Sequence, residues 1–177
     1  NTLSASVSNI NGNGFDDDGN DDTVQVVISP ITPAAGKVVV GEEGTGTWCQ
    51  WCPRGAVFMD EMESIYGDNW IGIAVHNGDP MTVTDYDGGM GGLISGYPSA
   101  LVDRGNAIDP SAMESDFLQK ITQAPTALIS NTATYSPISR TLTVTVSADF
   151  QMGANSNYKL ACVLTEDGVT GTGSAYS

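Results

Sequence analysis

The sequence has few basic residues and no long apolar run. Only six Lys and Arg stand against 21 Asp and Glu in 177 residues, and the formal net charge is −15. Without a basic stripe the chain cannot neutralise a row of phosphates, which argues against nucleic-acid binding, and an anionic membrane would repel it. No apolar run approaches the roughly 20 residues that span a bilayer, so no transmembrane segment is predicted.

The composition is also poor in charged residues and rich in glycine, with 21 Gly and 15% charged residues. Together with abundant Ser, Thr and Val this favours β-structure and turns over helical bundles. Few Lys and many Asn, Thr, Ser and Gly are typical of exported bacterial proteins. The chain starts without methionine inside a strand-like pattern, so we expect it to be a piece of a larger protein.

Apolar periodicity divides the chain into four segments. We interpret residues 1–29 as a strand segment of a flanking sandwich-like module and residues 30–36 as a linker. Residues 37–123 form an α/β unit, and residues 124–177 form a β-rich C-terminal module. In both flanks, alternating apolar residues predict half-buried strands, including one in "NYKLACVLTED".

The α/β unit alternates strands and helices. "KVVVGEE" is a continuous apolar run, as in a strand that is covered on both faces, and "PRGAVFMDEMESIY" has helical spacing. A second buried strand, a long glycine-rich loop over residues 77–96 and a short strand follow. Asp109 and Pro110 then mark the start of a last helix.

Cysteine is scarce, and two of the three cysteines are close together, at Cys49 and Cys52. They follow a predicted strand and lie at the start of a predicted helix, where backbone N–H groups and the helix dipole stabilise a thiolate. The thiolate is the attacking species in disulfide exchange. A Cys-x-x-Cys pair in this position therefore predicts that Cys49 attacks and Cys52 resolves.

Two other roles are open to the pair of cysteines. With Cys162 and His76 it offers four zinc donors, but the spacing is poor, and Cys162 alternates with leucines as a core residue would, so we predict no metal there. A permanently oxidised structural disulfide remains possible. For His76, we favour a hydrogen-bonded structural role over tuning of Cys49.

The segments "VVVGEE", "TWCQWCPRG" and "GYPSALVDR" resemble the thioredoxin superfamily over residues 37–123. The sequence is most similar to the outer-membrane and secreted thioredoxin-like proteins of Bacteroidota. The resemblance implies an α/β, thioredoxin-like domain with β-rich, sandwich-like flanks, redox ability and an extracytoplasmic location.

The resemblance also assigns roles to single residues. It implies that Cys49 is the nucleophile, that Cys52 is the resolving cysteine and that Trp48 flanks the site. It further implies that Pro98 is a cis-proline facing the disulfide and that the backbone of Tyr97 pairs with a bound peptide.

Two positions near the cysteines leave alternatives open. The resemblance implies that Glu43 is a buried carboxyl that relays protons to Cys52, but it could equally be a strand-edge acid that pairs with Arg54 or lies in solvent. Gln50 and Trp51 replace the usual Gly-Pro pair of thioredoxins, which leaves the direction of electron transfer open. Trp51 either contacts a peptide partner or covers the site.

The acidic loop "NGNGFDDDGNDDT" contains Asp16, Asp18 and Asp21 around a glycine, and oxygen-rich loops of this kind can bind calcium. It lacks the closing glutamate of an EF-hand, so a solvated turn is the simpler interpretation. No dissociable cofactor is otherwise expected.

We therefore expect extracytoplasmic exchange with protein thiols or disulfides through Cys49 and Cys52. The alternative is a non-enzymatic cell-surface interaction or adhesion module that keeps a static disulfide on a thioredoxin scaffold. An exposed Cys49 favours exchange, and a buried Cys49 favours the static module.

Overall fold

The computed structural model describes residues 2–6, 23–153 and 157–170. These residues contain three α-helices and seven β-strands in small sheets, so the fold is mixed α/β. The chain divides into two compact units between Thr32 and Pro33. Within the described ranges, no helix is long and apolar enough to cross a membrane.

The first unit contains one antiparallel pair, β1 (Thr2–Ser6) and β2 (Thr23–Val27), in which Leu3 lies opposite Val26. Every residue of both strands is exposed. The predicted half-burial of these strands is therefore wrong in this structure. A two-stranded pair has no second layer to cover its apolar face, which is why alternation alone does not bury it.

The second unit is built on a three-stranded sheet of β3 (Val39–Thr45), β4 (Trp70–His76) and β5 (Ser99–Val102), in the order β4–β3–β5. Strand β3 lies in the centre, parallel to β4 and antiparallel to β5. Both faces of β3 are covered, as its continuous apolar run predicted. The helices beside this sheet are α1 (Cys52–Tyr66), α2 (Thr84–Gly91) and α3 (Met113–Ile121).

Alternate residues of the strands face two separate cores. On one face, α1 and α3 pack against the sheet, and the predicted α3 stripe of Met113, Phe117 and Ile121 is buried there. On the other face, Met90 of α2 packs against Leu101 of β5 and against Ile73 and Val75 of β4. The central strand therefore has no solvent-facing side, and every polar side chain in it must be buried.

Helix α2 corrects the prediction of a loop across residues 77–96. Its three glycines disfavour a helix in isolation. Tertiary packing outweighs this preference because Met90 is completely buried, and Asp85 and Asp87 complement the positive end of the helix.

The C-terminal part forms an antiparallel ribbon of β6 (Ala127–Ser136) and β7 (Thr141–Phe150). The further strand predicted in "NYKLACVLTED" is wrong, because residues 157–170 contain no strand. Cys162 is a free, exposed thiol and not the predicted core residue. An alternating segment forms a strand only beside a partner strand, and the described residues provide none for it.

We predict that Gly41→Ala destabilises the protein by about 2 kcal/mol, in the usual range for an overpacked core. A Cβ atom at Gly41 would lie 2.0 Å from Cη2 of Trp70, which is itself buried. The matched control is Gly88→Ala in α2, where an added Cβ meets nothing within 4 Å.

The control replacement should stabilise the protein by about 0.5–1 kcal/mol, because alanine is the better helix former. Urea unfolding midpoints of both variants measure the two changes. Equal midpoints would contradict the close packing of β3 against Trp70.

Candidate functional site

Cys49 and Cys52 form a disulfide at the N-terminal end of α1, which begins at Cys52. The amide of Cys49 donates to the carbonyl of Gly46 at 3.0 Å, and the amide of Cys52 donates to the carbonyl of Cys49 at 3.2 Å. These turns lead the chain from β3 directly into the helix, and Pro53 is accommodated because its missing N–H is not needed in the first turn. The predicted strand–Cys-x-x-Cys–helix arrangement is confirmed.

The disulfide lies on the wall of a cleft of about 390 Å³. Cys49 retains only 7% of its accessible surface, and Cys52 is buried as well. Trp51, between them, is 67% exposed, so it projects from the site and does not fill the core. The cleft is lined by Thr45, Gly46, Thr47, Trp48, Cys49, Gln50, Cys52, Pro53, Ala56 and His76.

Glu43 is buried beside this end of α1, with 2% of its surface exposed. Its Oε1 atom has no hydrogen-bond partner among the described residues. Burial raises the pKa of Glu43 from 4.5 to about 7, because an ionised carboxylate without a partner is poorly solvated there. The carboxyl is thus able to hold and release a proton near neutral pH.

The backbone of Gly55 brings the Glu43 carboxyl close to the helix. A Cβ atom at Gly55 would lie 1.8 Å from Oε1 of Glu43 and 3.2 Å from Cβ of Pro98. Gly55 follows Cys52 by three residues, and both are buried on the inner face of α1. The structure therefore brings together the carboxyl, the helix face that carries Cys52 and Pro98.

The Tyr97–Pro98 peptide bond is cis, as the resemblance implied. Tyr97 contacts Trp48 edge to face, with 5.4 Å between the ring centroids. Trp48 is 54% exposed, and its indole N–H donates to the carbonyl of Asn77 at 2.6 Å. Trp48, which was predicted to flank the site, and Tyr97 therefore lie beside each other near the cysteine loop, and both are partly exposed to solvent.

Asp79 connects the cysteine loop to the segment after β4. One oxygen, Oδ2, accepts the Thr47 amide at 2.9 Å and lies 2.6 Å from Nδ1 of His76. The other, Oδ1, accepts the Met81 amide at 2.9 Å. Burial raises the pKa of Asp79, but these hydrogen bonds outweigh it, so the net pKa lies below its usual value. The hydrogen bond predicted for His76 is present, and its partner is Asp79.

Arg54 does not pair with Glu43. Its guanidinium binds the carboxylate of Asp109 through two hydrogen bonds, and these hold the pKa of Asp109 well below its usual value. Of the alternatives for Glu43, burial is therefore correct, and both pairing with Arg54 and solvent exposure are wrong. Asp109 also accepts the Ser111 amide, which confirms it as a helix cap, although the first turn is a 3₁₀ turn.

Sequence reasoning missed three features of the site. Gly55 lies in the first turns of a helix, where glycine is unfavourable, and this was the available signal of a close approach. Asp79 is an acidic residue in a predicted loop, and such residues are too common to indicate contacts with the cysteine loop. Glu42, which precedes Glu43 in β3, is also buried and accepts hydrogen bonds from Tyr86 at 2.5 Å and from Arg104. An alternating strand pattern cannot reveal partners that are distant in the sequence.

No group of three or more His, Cys, Asp or Glu side chains that could hold a metal occurs in the described part of the chain. The calcium prediction at Asp16, Asp18 and Asp21 falls outside the described residues.

No protein-family model and no curated protein matches the chain. Among solved structures, a protein of Agrobacterium tumefaciens is 17% identical with a TM-score of 0.42, over 57% of this chain and 53% of its own. HBP35 of Porphyromonas gingivalis is 22% identical with a TM-score of 0.38, over 55% of this chain and 36% of its own. The chain thus spans about half and about a third of these two structures. At these sequence identities and TM-scores, neither similarity supports an argument about fold or activity.

We predict that Glu43→Gln removes a pH-dependent loss of stability. The carboxyl is protonated in the folded state up to about pH 7 but ionises in the unfolded state above about 4.5. Unfolding therefore releases a proton between these values, so the native protein loses stability as the pH rises. The full loss is about 3 kcal/mol, at about 1.4 kcal/mol per unit of pKa difference.

The two proteins should have similar stability at pH 4.5, and the Gln variant should be more stable at pH 8. Urea unfolding at several pH values measures the difference. Glu61→Gln, at an exposed side chain of α1, is the control because it removes the same carboxyl where it is not buried. Parallel stability curves for Glu43→Gln and the native protein would contradict a buried, neutral carboxyl.

Proposed function

We propose that this protein exchanges thiols and disulfides with protein partners through the Cys49–Cys52 pair. The observation that supports this most is the combination of a disulfide at a helix N-terminus with a buried carboxyl on the same side of that helix. The carboxyl of Glu43 has a pKa of about 7, so it can give a proton to a departing sulfur and take one back at neutral pH. A disulfide with a purely structural role does not need such a group.

In this proposal a partner thiolate attacks Cys49, and Cys52 leaves with the bonding electrons and takes the proton from Glu43. A second partner thiolate then releases Cys49 from the mixed disulfide. The opposite direction reverses these steps. No dissociable cofactor takes part, because the electrons pass only between sulfur atoms.

The residues around the cleft suit a polypeptide partner. Tyr97 and Pro98 would present backbone groups to an extended segment, and the half-exposed rings of Trp48 and Trp51 would contact its side chains. We propose that both tryptophans contribute to partner binding, and that Trp51 does so in place of the proline of thioredoxins.

We further propose that residues 37–123 are a thioredoxin-like domain and that the β-rich flanks belong to adjoining sandwich-like modules. The order of β3, α1, β4, α2, β5 and α3 around the disulfide and the cis-proline supports the first part. The Cys49–Cys52 disulfide supports an extracytoplasmic location, periplasmic, outer-membrane-associated or secreted, because disulfides form in oxidising compartments.

One observation favours the alternative of a static disulfide in a surface interaction module. Cys49 is 7% exposed, and a buried sulfur is harder to attack. The open cleft at the disulfide nevertheless gives a path to the sulfur atoms, since Cys49 and Cys52 both line it. The two functions therefore differ in whether the pair turns over.

The reduction potential of the Cys49–Cys52 pair separates the two functions. The protein would be equilibrated in graded glutathione buffers, free thiols would be alkylated, and the products would be counted by mass. The free thiol of Cys162 would first be removed as Cys162→Ser, because it is exposed and reacts independently.

We expect a potential between about −120 and −270 mV, the range of working oxidoreductases. A pair that stays oxidised below about −300 mV is a structural disulfide, and the interaction module would then be the correct function. Cys52→Ser, which cannot close the disulfide, is the control for the alkylation count.

A further inference from the structure

His76 is the single histidine of the chain and lies on the wall of the cleft that also contains the disulfide. It ends β4, and its side chain is 20% exposed. The neighbouring strand position is Thr45, two residues beyond Glu43 along β3. The only imidazole of the chain therefore lines the cleft, whereas Glu43 is buried and does not line it.

Asp79 determines which nitrogen of His76 is available. Its side chain is buried, and Oδ2 already accepts the Thr47 amide while lying 2.6 Å from Nδ1 of His76. A carboxylate can only accept, so Nδ1 carries the proton in this pair. The other nitrogen, Nε2, is then an unprotonated acceptor in the neutral ring, and no described residue hydrogen-bonds to it.

We propose that Nε2 of His76 is the proton acceptor for the sulfur that enters or leaves at Cys49, and that Asp79 is the positioning residue. The inference rests on the proposed exchange function. It assigns the two protons of the reaction to different groups, with His76 serving Cys49 and Glu43 serving Cys52. Such a paired carboxylate fixes the tautomer and the orientation of the imidazole.

The proton and electron transfers balance in this scheme. A partner thiol gives its proton to His76, and its sulfur attacks Cys49 and breaks the Cys49–Cys52 bond. Cys52 leaves with the bonding electrons and takes the proton of Glu43. The second partner thiol loses its proton to water and attacks the mixed disulfide, and Cys49 leaves as a thiolate that takes the proton held by His76. Glu43 regains a proton from water, so the partner is oxidised by two electrons and the pair is reduced.

Other titratable groups lie on the elements around the cleft and must be separated from His76. They are Asp79 after β4, Asp87 of α2, which binds Asn77, and Tyr97 before β5. Glu43 of β3 is the fourth, and its pKa of about 7 overlaps the imidazole range. Arg54 of α1 is paired with Asp109. A pH profile of activity alone therefore cannot assign the proton to His76, and a signal specific to the ring is needed.

The imidazole resonance provides that signal, because the chain has one histidine. We would titrate the ring C–H resonances of His76 by NMR in the oxidised protein, in the protein reduced with dithiothreitol, and in reduced Cys49→Ser. We expect reduction to raise the titration midpoint by about one pH unit, because a thiolate at Cys49 stabilises the imidazolium. The Cys49→Ser variant should lack this shift.

The reverse coupling is measured on the sulfur. In a Cys162→Ser background, the alkylation rate of reduced Cys49 by iodoacetamide at pH 6.5 would be followed by peptide mass mapping. We expect His76→Gln to slow the alkylation of Cys49 about threefold. A rise of one unit in the pKa of the thiol lowers the thiolate fraction about tenfold, and the greater nucleophilicity of the more basic thiolate restores about half of that loss on a logarithmic scale. The Gln amide can still donate to Asp79, so the thermal midpoint of the oxidised protein should not change.

An unchanged His76 midpoint on reduction would overturn the inference, and so would equal alkylation rates with a normal thermal midpoint. The NMR comparison of the oxidised and the reduced protein uses the native chain, so the test does not depend on the folding of His76→Gln. A coupled His76 with a potential below about −300 mV would support the proton assignment while contradicting the exchange function. An unchanged His76 midpoint together with a potential between about −120 and −270 mV would contradict the proton assignment and support the exchange function.

Discussion

The contact between the Glu43 carboxyl and the backbone of Gly55 determines how the site is assembled. A side chain from the central strand meets the inner face of α1 at a distance that no residue with a Cβ atom would permit. The same contact brings Pro98 against the helix, one turn from Cys52. The strand, the helix N-terminus and the proline loop therefore have a single mutual arrangement.

Two neighbouring glutamates of β3 show how the environment separates similar residues. Glu42 points to the α2 face, where Arg104 and the hydroxyl of Tyr86 bind it, and burial together with the Glu42 hydrogen bond raises the pKa of Tyr86 to about 12. Glu43 points to the α1 face and has no partner at Oε1. A guanidinium partner compensates the charge of a buried carboxylate, whereas a buried carboxyl without a partner is able to exchange a proton near neutral pH.

The loop before Cys49 is held by the segment that follows β4. Asp79 binds the Thr47 amide, and the carbonyl of Asn77 accepts the Trp48 indole N–H. Asn77 in turn binds the carboxylate of Asp87 on α2. These contacts connect α2 to the cysteine loop, so a segment that is rich in glycine still has a defined position next to the disulfide.

The sequence by itself determined the local elements and the position of the cysteine pair. The apolar run of β3, the helical spacing after Pro53 and the cap at Asp109 are short-range patterns, and a Cys-x-x-Cys pair between a strand and a helix can close a disulfide without distant contacts. Only the tertiary structure decided the environment of Glu43, the helical state of α2 and the pairing of His76 with Asp79. The first two depend on burial by elements distant in sequence, and the third depends on how the chain turns after β4. It also decided that the outer strands and Cys162 stay exposed, because alternation specifies an apolar face but not the layer that covers it.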